Sequence, residues 1–294
     1  MCRSDTRLHG NKKMNSNNFL IEATGYDFTG WIPITGSDEQ WNSLQETYRN
    51  RLNELCDIQP SFAVFGFRTC EYPVIMCNNK RFIDRVKRIA ESGLNIVFAL
   101  SPMHQRFCND YIAILEQIKH SVSLFAIQVN DIGTACIVEN IFGNEMPLIA
   151  GRLFEKTIRE CRFSISQLDN IEKNKKAIEN IHYSDPYYFE MLKSLHFRRA
   201  ECDTIPDGTI RLPESEIGWD VIYPKIMMSK SARCFFDNNC EKGCRIYRKH
   251  YKGINGNELY FQENGVFMNN CMALSDAVFG KFRLIYSEIA GGYL

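Results

Sequence analysis

Cys234, Cys240 and Cys244 share one short stretch with the spacing C-x5-C-x3-C. Thiolates are soft ligands, and several gathered this closely suit zinc or an iron–sulfur core. Arg233, Lys242 and Arg245 flank them. Positive charge beside a thiol lowers its pKa and favours the thiolate that binds metal. Cys240 and Cys244 are four apart, so one helical turn would set both sulfurs on one face. Gly243 and the run Asp237-Asn238-Asn239 give a backbone able to bend around an inorganic group. Three ligands do not complete a cuboidal cluster, which takes four. The spacing is not the C-x3-C-x2-C of radical enzymes, nor the paired C-x2-C knuckles of a structural zinc site. On spacing, an iron–sulfur cluster, a zinc site and unliganded thiols all stay open.

Other polar residues follow apolar runs. Asn130-Asp131 comes after 124–129, where it could face a ligand or a second subunit, or where Asp131 could cap a helix. Arg152 follows 147–150 and could fork onto a carboxylate or phosphate, or form a salt bridge. His104 after 94–100 could be an acid or base, or an ordinary loop histidine. Arg245 to Lys252 interleaves basic and aromatic residues, which could contact RNA or form a solvated face. No G-x-S-x-G occurs, so a serine-hydrolase elbow has no support.

The elements that would carry these residues alternate. Phe19–Ala23, Ser61–Phe67, Leu94–Leu100, Leu124–Val129 and Pro147–Ala150 read as buried strands. Between them lie helices: one opening at Ser37 with a capping box to Gln40, then Lys80–Ser92, Gln105–His120 and Ile132–Ile141. Near-continuous apolar strands separated by amphipathic helices imply a parallel sheet buried on both faces. A (β/α) TIM-barrel-like fold, incomplete or distorted, is expected over a doubly wound sheet, because no G-x-G-x-x-G turn follows the first strand. Beyond residue 160 the pattern loosens. Helices are expected at 170–180 and 187–195, a strand at 197–202, a turn region at 206–213, and a hairpin of 258–262 with 265–269. Residues 1–18 read as a disordered leader and 19–294 as one barrel-like domain.

Lysine plus arginine (35) balances aspartate plus glutamate (35), which argues against a whole-molecule pull toward nucleic acid or anionic membrane. No apolar run reaches membrane-spanning length. The 12 cysteines are mostly scattered, and Cys56, Cys136, Cys161 and Cys202 read as small buried hydrophobes. Cytoplasm is the expected location.

Ser231-Ala232-Arg233-Cys234, followed by Cys240 and Cys244, resembles the collagenase-like peptidases of unassigned class U, family thirty-two, in the UbiU/UbiV branch. Val64-Phe65-Gly66-Phe67-Arg68-Thr69-Cys70, Asn130-Asp131-Ile132-Gly133, Pro147-Leu148-Ile149-Ala150-Gly151-Arg152 and Asn264-Gly265-Val266 are similar to further stretches of that family, in order. The resemblance spans roughly residues 60 to 270, on a domain of barrel size. It implies a 4Fe-4S cluster held by Cys70, Cys234, Cys240 and Cys244, with Cys77 the competitor for Cys70. The gap between Cys234 and Cys240 is shorter than the family's. The family's glutamate-and-cysteine peptidase signature is not intact, so peptidase activity is not expected. The resemblance further implies oxygen-independent hydroxylation of a ubiquinone-like or other small-molecule precursor, together with a paralogous UbiU-like subunit as a heterodimer. A non-catalytic iron–sulfur scaffold or electron relay, and a tRNA or rRNA hydroxylation enzyme, are the alternatives.

Overall fold

The structure, a computed structural model, describes residues 19–30, 36–70, 79–155, 185–206, 208–231, 249–252, 258–262 and 264–287. Parallel pairing runs from β1 (Phe19–Thr29) through β2 (Pro60–Gly66), β3 (Asn95–Ala99), β4 (Ala126–Val129), β5 (Leu148–Ala150) and β6 (Phe197–Asp203) to β8 (Gly218–Lys230) and β12 (Val278–Ser287). β12 pairs in parallel with β1, with Tyr286 opposite Tyr26, so the eight strands close. The fold is a TIM-type barrel. It is closed, where the sequence left room for an incomplete one.

Alternation along each strand divides its residues between lumen and outer layer. Phe62, Val64, Val97, Ala99, Ala126, Ile149, Ile222 and Ile285 pack together inside the barrel. Ala63, Phe65, Ile96, Phe98, Ile127 and Leu148 face outward and join the core beneath the helices. Those helices are α1 (Asp38–Leu55), α2 (Asn79–Glu91), α3 (Cys108–Ser121), α4 (Ile132–Phe142), α5 (Pro186–Ser194) and the short α6 (Leu274–Ala277). The Ser37–Gln40 capping box starts α1 as the sequence indicated, and Trp41, Leu44, Tyr48 and Leu52 form its buried stripe. Trp41 meets Phe28 and Phe65 edge-on, with ring centroids 4.9 and 6.0 Å apart.

Several expectations need correction. Gln105–His120 divides into a 3-10 turn, Gln105–Phe107, and then α3. The turn region 206–213 holds a two-residue strand, β7 (Ile210–Arg211), paired with the start of β12. Cys202 is buried, but Cys56 is half-buried and Cys136 is exposed, because α4 turns that position away from the sheet. Residues 1–18, Cys161 and the helix expected at 170–180 lie outside the described residues.

Between β8 and β12 the chain builds an extension. β9 (Lys249–Lys252), β10 (Glu258–Gln262) and β11 (Gly265–Asn269) pair antiparallel, and β11 pairs with the far half of β8, Lys225–Lys230. The hairpin of β10 and β11 is the one expected from sequence. Its attachment to β8 places it over the carboxyl ends of the barrel strands. At the opposite end of the lumen, Asp220 is buried between Arg283 (Nε to Oδ1, 2.8 Å) and Arg199 (Nε to Oδ1, 2.6 Å). Burial opposes ionisation of Asp220, but Arg283 and Arg199 outweigh it and hold the carboxyl below its ordinary range.

Candidate functional site at the carboxyl ends of the barrel strands

In β6 the alternation of Phe197-Arg198-Arg199-Ala200-Glu201-Cys202-Asp203 sends Ala200 and Cys202 to the outer core and leaves Glu201 and Asp203 to the ion pairs below. Asp27 and Thr29 stand near the end of β1. Gly66 ends β2 at φ 124°, and a Cβ there would lie 2.2 Å from the Ala99 carbonyl oxygen. That glycine conformation turns the chain into Phe67-Arg68-Thr69-Cys70, all buried.

Arg68 links three strands. Its Nε and Nη2 donate to the two oxygens of Glu201, at 3.1 and 2.6 Å. Its Nη1 donates to Asp27 and, at 3.0 Å, to the Thr29 hydroxyl. Burial opposes the charge on Arg68, and Asp27 and Glu201 more than offset it, so its pKa is raised. Burial would also lift the Asp27 carboxyl, but Arg68 and Lys225 outweigh it and hold it down to about 2. Arg152 pairs with Asp203 and donates to the Lys225 carbonyl at 3.0 Å. Met227 N–H donates to the other Asp203 oxygen at 3.1 Å. The Lys225 ammonium sits 4.4 Å from the centre of the Phe267 ring, which β11 supplies from the extension. Asp27, Thr29, Gly30, Arg68, Thr69, Arg152, Lys225 and Phe267 together line a cavity of about 10 Å³, roughly the room one water needs.

Of the two readings left open for Arg152, the structure shows the salt bridge. Asp131 caps α4, accepting from Thr134 N–H at 2.8 Å, and also accepts from Met103 N–H at 3.1 Å. Asn130 is spent within the wall: Nδ2 donates to the Leu100 carbonyl at 2.7 Å, and Oδ1 accepts from Leu153 N–H at 3.2 Å. His104 is a loop residue that accepts from Arg106 N–H. From the basic and aromatic stretch, Tyr251 is half exposed and packs edge-on to Phe261, with centroids 5.1 Å apart.

Cys70 is buried at 7% exposure, next in the chain to Arg68 and Thr69 at the barrel mouth. Cys77, Cys234, Cys240 and Cys244 lie outside the described residues, and no group of three His, Cys, Asp or Glu among the described residues forms a metal site. Both chain ends that frame the three-cysteine stretch are described. Ser231 N–H donates to the Asn264 carbonyl at 2.7 Å, and Asn264 Nδ2 donates to the Thr69 carbonyl at 3.4 Å. Asn264 Oδ1 is buried and has no hydrogen-bond partner. The root of that stretch is therefore tied to the residue next to Cys70.

Asp27, Arg68, Glu201, Asp203 and Lys225 are site residues that the sequence reading missed. Alternation in β6 was a signal for Glu201 and Asp203. Arg68 pairs with groups 41 and 133 residues away, which no local spacing could reveal.

Fold and mouth define a (β/α) barrel whose carboxyl-end face is floored by buried ion pairs and roofed by a β extension. No family model, no curated protein and no solved structure matches the chain. No helix among the described residues is long and apolar enough to cross a membrane.

Proposed function

We propose that this chain is an iron–sulfur barrel protein of the UbiU/UbiV type, taking part in oxygen-independent hydroxylation of a small-molecule precursor beside a paralogous subunit. One observation carries the reading: the bonds Ser231–Asn264–Thr69 tie the described residue that leads into the Cys234, Cys240 and Cys244 stretch to Thr69, the neighbour of Cys70. Those four thiolates would hold a 4Fe-4S cluster, which when bound supplies one-electron redox chemistry. The chain's own residues position and shield that edge. Arg68 anchors the turn that carries Cys70 to β1 and β6 through Asp27 and Glu201. Phe267, buried, covers the mouth from the side of the extension. Asp27, with its carboxyl held at about 2, is a poor proton acceptor near neutral pH and acts as the partner of Arg68.

Protein purified without oxygen should carry about four irons and absorb broadly near ~400 nm from thiolate-to-iron charge transfer. Cys70→Ala should lose most of that iron, while Cys77→Ala should keep it. Iron-free wild-type protein that is folded and supplied with iron and sulfide would sink the reading. Equal iron in Cys70→Ala and wild type would remove Cys70 from the ligand set.

A further inference from the structure

The amino-end face of the barrel, opposite Cys70, holds a cavity of about 550 Å³, within the range of small-molecule sites. The starts of β1, β8 and β12 and the chain from Arg211 to Ile217 enclose it. That chain is pinned at several points. β7 pairs Arg211 with Phe279, and Leu212 N–H donates to the Phe279 carbonyl at 2.9 Å. Trp219 Nε1 donates to the Pro213 carbonyl at 2.8 Å, and Ser215 Oγ to the Ile217 carbonyl at 2.6 Å. Gly280 (φ 122°) lets Leu212 close on β12: a Cβ there would lie 2.8 Å from the Leu212 Cβ. The cavity is therefore built into the fold.

Its lining combines apolar surface with unspent charge. Leu20 is 50% exposed although it lies in β1, and Phe279 is half-buried. The Arg211 guanidinium sits 4.9 Å from the centre of the Phe279 ring, which steadies its planar fork. Lys281 stands opposite Leu20 in the β1–β12 ladder. Among the described residues neither Arg211 nor Lys281 has a carboxylate partner. Two carboxylates also line the cavity. Glu22 answers to Arg199 at 3.6 Å, which leaves Glu214 alone against the two cations. That balance favours an anion, and Leu20 and Phe279 favour one with an apolar body. We infer that this cavity binds a small monocarboxylate with an apolar body, its carboxylate on Arg211 and Lys281 and its body against Leu20 and Phe279. A guanidinium can take both oxygens of a carboxylate, and a cation of the same shape would meet two like charges. The site lies at the other end of the barrel from Cys70, so the inference goes beyond the iron–sulfur reading and does not depend on it.

Titration calorimetry on the full chain, with its iron content measured separately, decides it. The probe is 3-phenylpropionate. Phenethylamine matches its shape with the opposite charge, and acetate keeps the charge without the ring. The probe should bind, and phenethylamine should bind at least about tenfold more weakly, the scale of a lost hydrogen bond to a charged group. Acetate should also be at least about tenfold weaker, because it buries no ring. Arg211→Gln and Lys281→Gln should each weaken the probe by about tenfold or more. Both side chains are exposed, so both variants should fold. Glu214→Gln removes the opposing carboxylate and should leave binding as tight or tighter. Five results each overturn the inference: no heat from the probe at millimolar concentration, phenethylamine binding as tightly, acetate binding as tightly, unchanged affinity in Arg211→Gln or Lys281→Gln, or weaker affinity in Glu214→Gln. None of these outcomes bears on the iron content.

Discussion

Arg68 shows what a single residue does in this barrel. Its guanidinium is fully buried and satisfied by two carboxylates and a hydroxyl from β1 and β6. A buried ion pair adds little net stability over apolar residues of similar volume, but removing one member leaves a charge uncompensated. Arg68→Met should therefore cost ~3–5 kcal/mol in urea unfolding, because Asp27 and Glu201 are stranded. Adding Asp27→Asn and Glu201→Gln to that variant should recover most of the loss. A triple variant no more stable than Arg68→Met would show that the arginine matters for packing rather than charge. None of this was legible in the sequence. Arg68 reads there as part of a strand-to-cysteine string, and its partners are defined by the closed barrel. The place of Cys70 was legible, because a residue just past an apolar strand must emerge at the carboxyl end of that strand; its role as a ligand came from the resemblance alone.

At the scale of elements, legibility followed burial on both faces. β2 to β5 fill the lumen with Phe62, Val64, Val97, Ala99, Ala126 and Ile149, so their sequences are continuous apolar runs. β8 and β12 complete the barrel and were not recognised. β8 holds Asp220 and Pro224; β12 holds Gly280, Lys281 and Arg283. Asp220 and Arg283 neutralise each other inside the lumen, a pairing visible only once the strands are adjacent. Turn chemistry was more local and read better, as Ser37 with Gln40 shows. Two glycines give a test of what positions the mouth. Gly66 (φ 124°) and Gly93 (φ 88°) both hold backbone that side chains resist, but a Cβ on Gly93 would meet nothing within 4 Å. Gly93→Ala should cost about 1 kcal/mol, from backbone strain. Gly66→Ala adds a collision with the Ala99 carbonyl, so it should exceed that by ~1–3 kcal/mol in thermal or urea unfolding. Equal costs at the two sites would mean that the β2–β3 junction yields easily and does not fix the turn leading to Cys70.

For the whole molecule, the buried ion pairs set how stability responds to pH. The Asp27 carboxyl lies at about 2 in the folded chain against an ordinary 3.8, and that of Asp220 is lowered as well. A depressed folded value means the unfolded chain takes up protons first. Stability from these pairs is then complete above the unfolded value and is lost as pH falls from about 4 toward 2. The shift at Asp27 corresponds to ~2 kcal/mol, with Asp220 adding to the same limb. On the alkaline side, burial raises the Tyr223 hydroxyl, and burial with the Glu155 charge raises that of Tyr188, each to about 12 against an ordinary 10. A raised folded value gives stability that is complete below the unfolded value and is lost as pH climbs through about 12. The two limbs leave a broad plateau between them. Urea midpoints at a series of pH values should be level from about pH 5 to 9 and fall on both sides, most steeply in acid below about 4. Asp27→Asn removes one of the titrating groups. Its acid limb should be shallower by ~2 kcal/mol between pH 4 and 2, while its alkaline limb stays unchanged. An acid limb of wild-type depth in Asp27→Asn would mean that Asp27 is not held low by Arg68 and Lys225, and the ion-paired floor of the mouth would have to be redrawn.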